Sequence, residues 1–184
     1  MKRSIVSMAL LGGLMWLLTY GVAVADNEML TLTQDESKME RVIEAYLKTE
    51  HSLTITEKTA GEDDLYLELP MKGDDIPQYR IVIDTQPLNT TDEGKVIERG
   101  VRVQAFTGIT VPENKQTEVI RIINDFNRDK VFSAVYVDTD GEIIVDWTLN
   151  VMSQGLATEY VYDVVARADK LWRALYPKIN AVMQ

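Results

Sequence analysis

The sequence contains no cysteine and a single histidine, His51. The first absence excludes a disulfide framework and any mechanism that runs through a thiolate. With only one imidazole, the Cys/His sets that hold zinc are also missing. Nucleophilic catalysis is narrowed further, because no serine lies in a Gly-x-Ser-x-Gly elbow and His51 has no thiol to activate. No glycine-rich phosphate loop occurs. Positive charge is scarce as well: 19 Lys and Arg against 29 Asp and Glu leave a net charge of −10, which repels a phosphate backbone and speaks against nucleic acid as a partner. The sequence therefore predicts no catalytic residue, no cofactor site and no metal site. His51 reads as a surface residue where a helix ends, a position that suits a cationic side chain.

What is present begins with MKRSIVSMALLGGLMWLLTYGVAVADNE. Lys2 and Arg3 precede an apolar run from Ile5 to about Val24, and Ala23-Val24-Ala25 is a small-x-small site, the three-part layout of a secretory signal peptide. Cleavage is expected after Ala25, giving residues 1–25 as a signal peptide and 26–184 as a single domain, periplasmic or secreted and without a stable membrane anchor. The alternative is an uncleaved N-terminal anchor in the inner membrane, because the run approaches the roughly 20 residues that a transmembrane helix needs.

Beyond that segment the periodicity alternates between helix and strand. Thr33-Gln34-Asp35-Glu36 fits a capping box, and Met39, Val42, Ile43, Tyr46 and Leu47 recur at helical spacing, which predicts a helix over about 34–49. Four strands follow: Leu53 with Ile55; Leu65, Leu67 and Leu69; Tyr79, Ile81 and Ile83; Val101, Val103 and Ala105. The polar stretch from Gln86 to Gly94 reads as a long connection, with Lys95 to Arg99 extending the fourth strand behind a bulge at Gly100. Pro112 opens a second helix over about 112–128 whose stripe is Val119, Ile122, Ile123 and Phe126. A third helix starts near Thr158, and Pro177 ends or kinks it. The expected class is α+β, an antiparallel sheet of five to six strands with helices packed on it, in the order α-β-β-β-β-α-β-β-α.

Between the last two helices, VYVDTDGEIIVDW raises a question of metal chemistry, since Asp138, Asp140 and Glu142 surround Gly141. Placing Gly141 at the sixth position of a calcium loop puts Tyr136 at the first and Trp147 at the twelfth, so two essential ligands fail. The flanks alternate with period two, and Asp138-Thr139-Asp140-Gly141 reads instead as a hairpin turn with Gly141 left-handed at a bulge. On this hairpin Phe132, Ala134, Tyr136 and Ile144 lie opposite Val135, Val145 and Trp147, so both faces carry apolar surface. Phe132, Tyr136 and Ile144 are therefore the candidate protein-contact face, with a second copy of the chain as one partner that would close it. Asp146 is expected to face away from the core.

Several of these residues resemble a known family. The helix end Ile123-Asn124-Asp125-Phe126-Asn127, the aromatic Phe132, Tyr136 and Asp138 leading into Asp140-Gly141, the strand from Ile143 to Leu149, and a glycine before the last helix together resemble the YbjN family of bacterial sensory transduction regulators. The resemblance runs from Val119 to about Leu175. It implies a fold like that of the class I type III secretion chaperones, frequent dimerisation and no established catalytic residues. The order read here has one strand more before the second helix than that chaperone order. The functional expectation is a non-enzymatic, exported module of the bacterial envelope, protein-binding, regulatory or chaperone-like, with a protein partner. The alternative is a carboxylate-dependent hydrolase of envelope material, which needs two carboxyls about 5 to 10 Å apart in a cleft.

Overall fold

The computed structural model describes residues 29–60, 64–73, 75–128 and 133–184. The expected signal peptide and Phe132 lie outside the described residues.

After a two-residue strand β1 (Met29–Leu30), the first helix α1 spans Glu36–His51. Its cap is Asp35, whose carboxylate accepts from the Lys38 N–H at 2.7 Å, and not Thr33. Asp35 is a stronger cap, and Thr33 is two residues outside the helix with its hydroxyl against that of Thr31. At the other end Ser52 is left-handed (φ 53°), and the Ser52 and Leu53 amides bond back to Lys48 and Leu47. That closure occupies Leu53, so the expected strand at Leu53 and Ile55 starts later, as β2 (Thr56–Thr59).

The strands β3 (Leu65–Met71), β4 (Tyr79–Thr90) and β5 (Val96–Thr110) follow. The connection expected over Gln86 to Gly94 is a correction: β4 and β5 continue as a paired arm, and only the tight turn at Thr91 to Lys95 joins them. A bulge in this arm accommodates Pro87, but it sits around Leu88 and not at Gly100, which stays in register opposite Gln86. Gly100 is instead closely covered by Leu88, whose side chain would lie 3.1 Å from a Cβ there and would have to shift slightly to admit one.

Pro112 is extended (φ −60°, ψ 144°) and leads into a short 3-10 turn, Glu113–Lys115, so helix α2 begins only at Gln116 and runs to Asn127. The strands β6 (Ala134–Val137) and β7 (Glu142–Val151) form the hairpin. Its turn is the expected one: Gly141 has φ 81°, and one oxygen of Asp138 accepts from the Asp140 and Glu142 amides at 2.9 and 2.8 Å. A two-residue strand β8 (Leu156–Ala157) pairs with β1 and leads into α3 (Thr158–Met183). This last helix runs through Pro177, because Leu175 before it and Ile179 after it are both fully buried and hold the final turns on the core.

The large sheet is antiparallel throughout, with six strands in the order β2-β3-β4-β5-β7-β6. Four of these six strands precede α2, as the periodicity predicts, and β1 lies outside this sheet. Leu67, Leu69, Ile81, Ile83, Val101, Val103, Ala105, Val145 and Trp147 alternate onto one face and pack against Ile43 and Leu47 of α1, Val119 and Ile123 of α2, and Val165 and Trp172 of α3 in one apolar core. Burying each such side chain contributes roughly 1.5–3 kcal/mol against the entropy of ordering the chain. The helices cover this face and leave the other one open.

Candidate functional site

The period-two alternation that sends the apolar residues of β4, β5 and β7 to the helices sends Arg80, Val82, Asp84, Arg102, Gln104, Phe106, Ile144 and Asp146 to the open face. There Arg102 forks onto Asp146 in the next strand, Nη2 donating to one oxygen at 2.8 Å and Nε to the other at 3.3 Å. Tyr136 joins from β6: its hydroxyl donates to Asp146 at 3.3 Å and accepts from Gln104 Nε2 at 3.3 Å. Burial and the neighbouring Asp146 charge hold the phenol above its ordinary pKa, and the bond to Asp146 holds the Arg102 guanidinium firmly protonated. The result is a rigid, charge-compensated plate of side chains contributed by three strands.

Beside this plate, Arg80 lies over the Phe106 ring, 5.1 Å from its centroid. The pair forms a ridge with a groove on each side. One, of about 240 Å³, is lined by Asp64, Tyr66, Val82, Asp84 and Gln104 as well as the ridge. The other, of about 540 Å³, extends over Glu68, Gln78, Tyr79, Gly108 and Glu142. In the smaller groove one oxygen of Asp84 is shielded from solvent without a hydrogen-bond partner. Burial, reinforced by Asp64 and Asp146 and opposed by Arg102, raises its carboxyl above the usual range. Carboxylates outnumber guanidinium groups along both grooves, so the face suits a polar or basic partner surface with aromatic or aliphatic contacts.

The residues singled out in the sequence divide between the interior and this surface. Tyr136 is half-buried in the plate. Ile144 is only 1% exposed, opposite Phe106 on one side and Tyr136 on the other, so it supports the face from within and offers no surface itself. Asp146 faces away from the core, paired with Arg102. His51 ends α1 as expected, but its ring is stacked on Tyr162 with centroids 3.3 Å apart and set edge-on to Tyr46. No cluster of three or more His, Cys, Asp or Glu with metal-binding geometry occurs among the described residues.

Four residues were missed in the sequence, three of them on the open face. Arg102, Gln104 and Asp84 follow from the same alternation that marks Val101, Val103 and Ile83, read for its polar half. A further one, Glu40, lies fully buried beneath α1, outside both grooves. Its spacing of three from Ile43 and seven from Leu47 puts it on the apolar stripe, which is a signal for burial.

No curated protein matches the chain. Among solved structures, one described as "Crystal structure of YbjN, a putative transcription regulator from E. coli" resembles it at 14% sequence identity and a TM-score of 0.49, over 77% of this chain and 90% of that one. The model of the YbjN family, described as "Putative bacterial sensory transduction regulator", matches residues 100–180. That stretch contains β7, all but a few residues of β5 and α3, the Asn124 to Asn127 helix end and the Asp138 to Gly141 turn. Over residues 100–180, somewhat less than half of its length, the chain is similar to the YbjN family.

Proposed function

We propose that this chain is a non-catalytic regulatory module of the bacterial envelope that binds a protein partner through the open face of its sheet. The observation that carries the reading is the face itself. Helices cover one side of the sheet, while the other presents two grooves around Arg80 and Phe106 beside the Arg102–Asp146–Tyr136 plate. A bonded, charge-compensated plate with an aromatic ridge has the make-up of a protein-contact surface. The family description as a regulator supports the same reading. Direct nucleic-acid binding fits poorly, because the net charge is −10 and the grooves are rich in carboxylates. The charged start, the apolar run and the small-x-small site support export with cleavage after Ala25, into the periplasm or outside the cell.

The test is affinity capture from envelope extract with the protein as the cell produces it, beside a Phe106→Asp variant. A stoichiometric partner retained by the wild type and lost by the folded variant supports the reading, and equal capture by both rejects this face. N-terminal sequencing of the same material checks export, where an intact Met1 in the membrane fraction rejects cleavage. Sedimentation shows whether the partner is a second copy.

One observation favours a second reading, the hydrolase. Asp64 and Asp84 share a groove, and the Asp84 carboxyl is held above its ordinary value, as a general acid requires. Hydrolysis of envelope glycans that disappears in Asp84→Asn would replace the binding proposal.

A further inference from the structure

β3 and β4 are paired from Met71 opposite Tyr79 to Leu67 opposite Ile83, and there the ladder stops. Two residues further along, Leu65 is opposite Thr59 of β2 but has no registered partner in β4, so Thr85 lacks a strand on that side. A side chain takes the strand's place. The Thr85 N–H donates to Glu40 Oε1 at 2.9 Å, and the Thr85 hydroxyl donates to the same oxygen at 3.1 Å. Glu40 comes from the middle of α1 and has no exposed surface, and its second oxygen, Oε2, is buried with no hydrogen-bond partner.

No ion pair to Glu40 occurs among the described residues. Asp84 and Asp64, which line the groove on the other face of the sheet, add like charge to its surroundings. Arg99 of β5 is bonded to Glu36 at 2.8 Å, and on α1 itself Lys48 is bonded to Glu44. On α3, Asp169 is held by Tyr79 and Arg173, and the other side chains that helix buries are apolar except for Thr158. His51, at the end of α1, is stacked against Tyr162. An ionised Glu40 therefore leaves a buried charge between helix and sheet with only the two Thr85 bonds to stabilise it, whereas a neutral one leaves a single unbonded O–H, a smaller penalty.

We propose that Glu40 is a proton-operated latch between α1 and the opening of the β3–β4 ladder, closed while the carboxyl is neutral and loosened when it ionises. Both bonds from Thr85 are donated to an oxygen that accepts in either state, so proton loss changes the charge at the joint without removing its geometry. Burial is the main cause that pushes the carboxyl from 4.5 up to about 7, with Asp84 and Asp64 adding to it and the Thr85 bonds opposing. The folded value exceeds the unfolded one. The stabilising effect of the proton is thus complete below about 4.5, falls as pH rises through 7 and is gone above it. Helix docking in this protein then responds to pH between about 4.5 and 7.

Amide hydrogen exchange of the protein as the cell produces it, corrected for the intrinsic rate, tests this between pH 5 and 8.5. The wild type should open α1 and Thr85 roughly a hundredfold more often at the alkaline end, and Glu40→Gln should respond weakly or not at all. All other titratable groups are common to the two proteins and cancel in the comparison. Parallel profiles for the two proteins overturn the latch. Should Glu40→Gln not fold, carboxyl NMR of the wild type decides. A glutamate midpoint near 7 shared by the Thr85 amide shift supports the latch, and a common midpoint below about 5.5 overturns it.

Discussion

Asn127, the last residue of α2, presents its carboxamide to Val135 as a neighbouring strand would. Its Nδ2 donates to the Val135 carbonyl at 2.7 Å, and the Val135 N–H donates to its Oδ1 at 3.0 Å. β6 is an edge strand, and edges of this kind recruit other strands unless they are blocked. Here one side chain occupies the outward-facing main-chain groups and also ties the end of the helix to the sheet.

Replacing Asn127 with Ala should cost about 1–3 kcal/mol, since a part-buried N–H and C=O lose their partners together. Denaturant unfolding measures that loss. Light scattering should show more self-association at high concentration, and a variant as monodisperse and stable as the wild type would show that the edge needs no protection.

Ile144→Asp places a carboxylate between Phe106 and Tyr136 at a position with almost no solvent access. The expected loss is roughly 4 kcal/mol or more, enough to unfold a domain of ordinary stability. Circular dichroism should show an unfolded chain. A folded variant whose only change is dissociation of a dimer would instead place Ile144 at a subunit interface.

Arg102→Ala removes the guanidinium that holds Asp146 and partly offsets the raised carboxyl of Asp84. The Asp84 carboxyl should titrate higher still in the variant, which NMR can follow. Because a carboxyl raised in the folded state loses its stabilising proton as pH rises, the variant should weaken more than the wild type between mildly acidic and neutral pH. Equal pH profiles would show that Arg102 does not act on Asp84.

At the hairpin, Asp138→Ala leaves the Asp140 and Glu142 amides without their shared acceptor and should lower stability by about 1 kcal/mol. Calcium should not shift the melting temperature of the wild type, because an Asp138 oxygen is already engaged by the turn. A calcium-dependent rise that vanishes in the variant would restore the metal reading.

Much of the architecture was legible because its signals are local. The stripe at Val119 and Ile123 and the alternation at Val101 and Val103 report burial directly, and Gly141 carries a turn that its neighbours confirm. Boundaries were less legible where two local rules competed: Asp35 outcompetes Thr33 as a cap, and the polar composition from Gln86 to Thr90 conceals a strand exposed on an arm. The site was half legible. Alternation puts Tyr136 and Ile144 on the face opposite Val135 and Trp147, but the partnership of Arg102 with Asp146 depends on β7 lying beside β5. Periodicity within one strand carries no information about that order.

That strand order also has a consequence for a chain emerging from the ribosome. β5 has its hairpin partner β4 at once, but its other long edge waits for β7, which is made only after α2 and β6. β6 cannot take the vacancy, since its place in the sheet exists only once β7 is seated. Throughout that interval the sheet presents its longest strand with one edge unpaired, and it is then that a holding factor or an unwanted strand would find the chain.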